Sequence, residues 1–99
     1  MIIKVERYLE PLMQKFIDYV HEQLGGLDRA IEEGNLKEIK RVGHTLKGTC
    51  GGYGFEHLSA LSKSLEELDG TDTKKRATEL VAAMRRSLQE SEIEYVGEP

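Results

Sequence analysis

The sequence predicts an all-α chain: an antiparallel four-helix bundle, preceded by a short additional N-terminal helix or an irregular arm. Three observations carry that expectation. Apolar residues recur at spacings of three and four through four separate segments, which is the period of a helix face. Glycine with asparagine or aspartate punctuates the joints between segments. Prolines are confined to Pro11 and Pro99, and the many short β-branched runs of a sandwich or barrel are missing. With 99 residues, 38% of them apolar and 32% charged, the chain suits one domain, 1–99, with one modest core. It is too short to hold an ATP-binding domain beside a substrate domain.

The first helix is read over Val5 to Glu33, with the stripe Leu9, Met13, Phe16, Val20, Leu24, Leu27 and Ile31. Pro11 fits a first helical turn, so any arm ends near residue 10. Gly25-Gly26 weakens this helix, yet the stripe continues beyond it, which favours one continuous helix over a break. Gly34 suits a left-handed helix end, and Asn35 suits the cap of the next helix, with Glu38 placed as in a capping box. The second helix follows Leu36, Ile39, Val42, Leu46, Cys50 and Tyr53. The third runs from Phe55 to Leu68 and ends at Asp69-Gly70. Thr71 or Asp72 caps the fourth, whose stripe is Ala77, Val81, Met84 and Leu88, with Tyr95 as its extension. The tail Gly97-Glu98-Pro99 is expected to fray. Burial between the helices is expected for Leu46, Cys50, Leu61, Leu65, Val81 and Met84.

Composition excludes several classes of function. A single cysteine, Cys50, rules out an intramolecular disulfide and any cysteine-based zinc or iron–sulfur site. No apolar run is long enough to span a membrane, and Met1 to Arg7 turns polar too soon for a signal peptide, so a reducing, cytoplasmic setting is expected. A net charge of −4 disfavours general nucleic-acid binding. Gly51-Gly52-Tyr53-Gly54 lacks the lysine and the preceding strand of a phosphate-binding loop. His21 and His57 have no metal-ligand spacing and read as helix-flank residues, so no metal site is expected. Cys50 falls on an apolar stripe and reads as a core thiol. Glu66 and Glu67 diverge by about 100° on their helix and read as a solvated face.

The second helix holds the chemistry. On a helical wheel centred on Leu46, Ile39, Val42, Cys50 and Tyr53 fall within about 40°, whereas His44 lies about 160° away and faces solvent. Lys37, Lys40, Arg41, Gly48 and Gly51 share that outer face, with Lys47 at its edge. From Asn35 to Gly54 four bases face one acid, so a patch of +3 stands on a chain of −4. Gly48, one turn beyond His44, leaves the imidazole edge open, and Lys47 and Lys40 are spaced to reach an anion held there. An exposed imidazole is a competent nucleophile near neutral pH. The plain alternative is a solvated helix face with an idle histidine.

His44-Thr45-Leu46-Lys47-Gly48, followed by Gly54, Leu58, Leu61, Leu65 and Glu66, resembles the signature of the histidine-containing phosphotransfer (HPt) domain family. The family pattern is His-x-Leu-Lys-Gly, a small residue at the Cys50 position, glycine at Gly54, then leucines of the next helix. Leu27 to Asn35 also resembles the hairpin that precedes the family's active helix. The resemblance implies that His44 accepts and donates a phosphoryl group in two-component signalling. It implies that Lys47 stabilises the phosphoryl oxygens and that Gly48 leaves access, with Lys40, Arg41 and Gly51 on the docking face. The implied partners are a response-regulator receiver domain and a histidine kinase or hybrid kinase. The receiver would supply an aspartate and Mg2+, and the chain itself would bind no cofactor, hold no ATP site and have no kinase or hydrolase activity of its own. A monomer is expected.

At Gly51-Gly52 the family usually carries serine, alanine or larger residues, so the end of the second helix is expected to fray or turn. Gly54-Phe55 also resembles the phosphotransfer domain at the N-terminus of chemotaxis-type kinases, which makes an excised kinase fragment an alternative; Met1 favours a free-standing shuttle. A second alternative is a helical adaptor that binds a receiver or kinase without carrying phosphate.

Overall fold

Burial follows the apolar stripe of the first long helix, and the other elements are laid against it. The computed structural model describes residues 1–98. In chain order it contains strand β1 (Ile2–Glu6), a 3-10 segment (Arg7–Leu12), α1 (Met13–Glu32), α2 (Leu36–Gly52), α3 (Glu56–Glu66), α4 (Thr73–Gln89) and strand β2 (Glu92–Val96). Met13, Phe16, Val20, Leu24, Leu27 and Ile31 of α1 are buried, at the helical spacings seen in the sequence. Helix α1 runs unbroken through Gly25-Gly26. Its start differs from expectation: Pro11 lies in the 3-10 segment, and α1 begins only at Met13.

Each helix has two main neighbours, since α1 packs on α2 and α4, and α3 packs on the same two. Leu46, Cys50, Leu65, Val81 and Met84 are buried, while Leu61 is half-buried against the core. At one end Phe16 stacks on Tyr53, with ring centroids 4.3 Å apart, and meets Phe55 at 5.1 Å. Burying such side chains supplies the stability that short isolated helices lack.

Two left-handed glycines set the joints that carry α2. Gly34 (φ +67°) ends α1: its N–H donates to the Ile31 carbonyl, and the Asn35 N–H donates to the Ala30 carbonyl. The Asn35 side chain then caps α2 by accepting the Glu38 N–H at 3.1 Å. The far end of α2 repeats the device. Gly54 (φ +87°) donates to Gly51, and Phe55 donates to Cys50. The helix therefore stays ordered through Gly52, against the expected fraying. Asp72 occupies the position before α4 but makes no side-chain cap; Asp69 instead accepts the Thr71 N–H and pairs with Arg76.

The chain is mostly helical, as expected, with four α-helices, but it adds a parallel two-stranded sheet that the all-α expectation did not include, with Ile2 opposite Glu92 and Glu6 opposite Val96. Ile3 and Val5 turn inward and are buried; Ile93 and Tyr95 pack partly against the core. Tyr95 is thus a strand residue, not the end of the α4 stripe. Arg7 donates to the carbonyls of Tyr95 and Gly97, at 3.3 and 3.1 Å. Gly97, expected to fray, is held by that contact, and Pro99 lies outside the described residues.

Candidate functional site

Helix α2 places His44 on the side away from the core, and the side chain is 71% exposed. The ring is nevertheless held at one atom. Nδ1 of His44 lies 2.6 Å from Oε2 of Glu66 on α3. Lys47 Nζ donates to the same carboxylate, at 2.9 Å to Oε1 and 3.2 Å to Oε2. The Lys47 ammonium, and after it the His44 ring, hold the Glu66 carboxyl below the usual carboxylate range. An ionised carboxylate only accepts hydrogen bonds, so the ring nitrogen facing it carries the proton. In the neutral imidazole the lone pair then sits on Nε2.

The two helices approach closely here. A Cβ at Gly43 would lie 2.8 Å from the Glu66 backbone nitrogen and 2.8 Å from the Ser62 carbonyl oxygen. One turn further along, Ser59 Oγ donates to the Lys47 carbonyl at 2.7 Å. At this level the α2–α3 seam is therefore closed by the bare backbone of Gly43 and the hydroxyl of Ser59, with His44 and Lys47 at its outer rim.

The residues singled out in the sequence separate into two sets. His44, Lys47 and Gly48 share one place, and a Cβ at Gly48 would meet no atom within 4 Å. Gly51 is exposed beside Ser59. Lys40 is committed elsewhere: its Nζ donates to the Leu68 carbonyl at 2.6 Å, beyond the C-terminal end of α3. Arg41 grips the Glu38 carboxylate on its own helix. Neither reaches the imidazole. Glu66 was expected on a solvated face and instead holds both His44 and Lys47; Glu67 stays exposed. The available signal was the turn. Folding the chain at Gly54-Phe55 brings Glu66 opposite His44, 22 residues earlier.

The other candidates have structural surroundings. His57 Nδ1 lies 2.9 Å from Ser87 Oγ, and His21 is exposed on α1. Cys50 is buried, and desolvation pushes its thiol up to about 12, far from a reactive thiolate. Among the described residues no helix is long and apolar enough to cross a membrane.

The fold is mostly helical, and the exposed His44 imidazole is held by a carboxylate of the neighbouring helix. Residues 11–94 match the family model described as the Hpt domain, and the chain belongs to that family. It is thus a phosphotransfer domain of two-component signalling, a class that interacts with response-regulator receivers and kinases. No curated protein and no solved structure gives a match. The matched segment begins after β1, so the strand that closes the sheet lies outside the family pattern.

Proposed function

We propose that the domain carries a phosphoryl group on Nε2 of His44 and exchanges it with the aspartate of a receiver domain. The observation that carries this reading is the 2.6 Å contact between Nδ1 and Glu66 on an otherwise exposed ring. In the transfer step the Nε2 lone pair attacks the phosphorus of the receiver's aspartyl phosphate. The new bond is N–P, the broken bond is P–O, and the aspartate leaves as a carboxylate. The ring becomes cationic as the bond forms, and Glu66, accepting the Nδ1 hydrogen bond, offsets that charge where it develops. The reverse transfer runs through the same arrangement. Lys47, already at the rim, is the nearest cation for the phosphoryl oxygens. Gly48 leaves the approach to the ring open. The receiver brings the acidic pocket and its Mg2+. This reading takes residues 1–99 as one unit and the helices as an antiparallel bundle.

The test uses a phosphorylated receiver. One phosphoryl group should appear on His44, labile to acid and more stable in base. ATP and Mg2+ alone should give none. His44→Gln should keep the helical fold and the receiver contact while losing all label. A label on His21 or His57, or full transfer by His44→Gln, overturns the proposal. Receiver binding with no label on the unaltered protein would point to an adaptor instead.

A further inference from the structure

The imidazole is held by a carboxylate on a different helix, so the helix spacing decides whether the contact exists. That spacing is set at Gly43, the residue before His44. A Cβ there would fall 2.8 Å from Glu66 N, 2.8 Å from Ser62 O and 2.9 Å from Leu65 Cβ. The first two are backbone atoms of α3 and cannot swing aside. Non-bonded heavy atoms normally rest at about 3.5–4.0 Å, so any side chain at this position pushes α2 and α3 apart by roughly half an ångström or more.

The consequence falls unequally on the two groups that hold Glu66. His44 has a short, rigid side chain, and its contact of 2.6 Å would stretch to the limit of a hydrogen bond. Lys47 has a long flexible stem and can follow the carboxylate. Widening the seam therefore releases the imidazole first. Gly25 also lies inside a helix, α1, with no atom within 4 Å of its would-be Cβ. The two glycines thus separate helix propensity, which they share, from close approach, which only Gly43 supplies.

We propose that Gly43 is a positioning residue for the imidazole: by letting α2 rest on the α3 backbone at Ser62 and Glu66, it sets the His44–Glu66 distance, keeps the proton on Nδ1 and leaves Nε2 as the nucleophile. The nucleophile clause rests on the phosphotransfer reading above; the tautomer clause stands on geometry alone. An isolated imidazole prefers the proton on Nε2, so loss of the Glu66 contact has a spectroscopic signature.

The experiment compares Gly43→Ala with Gly25→Ala. Ring-nitrogen chemical shifts of ¹⁵N-histidine-labelled protein report the His44 tautomer. Transfer from a phosphorylated receiver, measured against receiver concentration, separates the saturated rate from the apparent KM. Gly25→Ala should keep the Nδ1–H form and the saturated rate to within about two-fold. Gly43→Ala should move towards the Nε2–H form and lose about ten-fold or more in saturated rate, with the apparent KM unchanged because the exposed docking face is untouched. Should Gly43→Ala not fold alone, the comparison moves to a Gly25→Ala background. There the added Cβ meets nothing within 4 Å and raises helix propensity far from the seam. Identical tautomer and rate in the two alanine variants overturn the proposal. A wild-type protein that takes no phosphoryl group overturns the phosphotransfer reading, while the tautomer comparison still decides the role of Gly43.

Discussion

The α2–α3 seam and the α1–α4 seam are each bridged by a carboxylate and a cation, yet they are built for different ends. Across α1 and α4, Arg85 grips Asp28 through both guanidinium nitrogens, with the two side chains 45% and 52% exposed. That pair lines a groove with Ile31, Val81 and Ala82, and among the described residues its side chains hydrogen-bond only to each other. Across α2 and α3, Glu66 accepts from Lys47 and from His44 together. Side chains separate the first pair of helices; at Gly43 nothing separates the second. In the proposed transfer, an ion pair between helices acquires a chemical role through its third member. In the same reading, a short, rigid third member needs the backbones close.

The largest expected effect lies beneath the α2–α3 seam. Leu46 is fully buried, and Leu46→Ala should destabilise the domain by about 2–5 kcal/mol in denaturant unfolding. Next comes the sharpest test of the comparison. Glu66→Ala should slow phosphoryl transfer by roughly 10²-fold. Asp28→Ala should leave transfer unchanged and cost about 0.2–1 kcal/mol of stability, the usual value of an exposed pair. Equal losses of transfer in the two variants would erase the distinction between the seams.

Gly48→Gln should fold at least as stably as the parent, since the added side chain has open space, and should transfer about ten-fold more slowly by obstructing the ring. A full rate in that variant removes Gly48 from the access path. Lys47→Ala should leave the fold intact and shorten the phosphohistidine lifetime by a few-fold, read from the decay of label. The smallest effect is one of pH. The Glu66 carboxyl is held low by Lys47 and His44, so its contribution to stability is complete above the ordinary carboxylate range and disappears as pH falls through the lowered folded value. Glu38 and Asp69 are shifted in the same direction. The Glu66 part is therefore read as a difference: melting temperature should fall more on acidification in the wild type than in Glu66→Gln.

Local features were legible in the sequence. The stripe of α1, the Gly34-Asn35 joint and the outward direction of His44 all follow from spacings within a few residues, and helices are governed by such spacings. Partners brought together by the tertiary fold were not legible. Lys40 was placed near the imidazole by its i−4 spacing, but the Leu68 carbonyl, 28 residues away, captures it. The family resemblance includes Glu66 and not Glu67, but helix periodicity does not say what Glu66 touches; its partners follow from the register of the α2–α3 hairpin. Gly43 was overlooked because a wheel gives direction and not distance. The strands escaped for a related reason. Each has five residues, too few for a firm alternating pattern, and a parallel pair has no hairpin turn to announce it.

The sheet fixes an order of events in folding. The Met1 ammonium donates to the Glu90 carbonyl, a contact between residues 89 positions apart, and β1 pairs with β2 along the same line. Closing a loop of that length before the helices exist would carry an entropic cost of several RT. The helical hairpins need only short-range contacts and can assemble first, which brings the two strand segments within reach. Strand pairing then belongs to the native side of the folding barrier. Substitutions such as Val5→Ala should leave the refolding rate nearly unchanged and accelerate unfolding. Leu46→Ala, in the hairpin that forms early, should slow refolding. The site is thereby assembled by the fast part of the chain, and the clasp between its ends governs how long the assembled domain lasts.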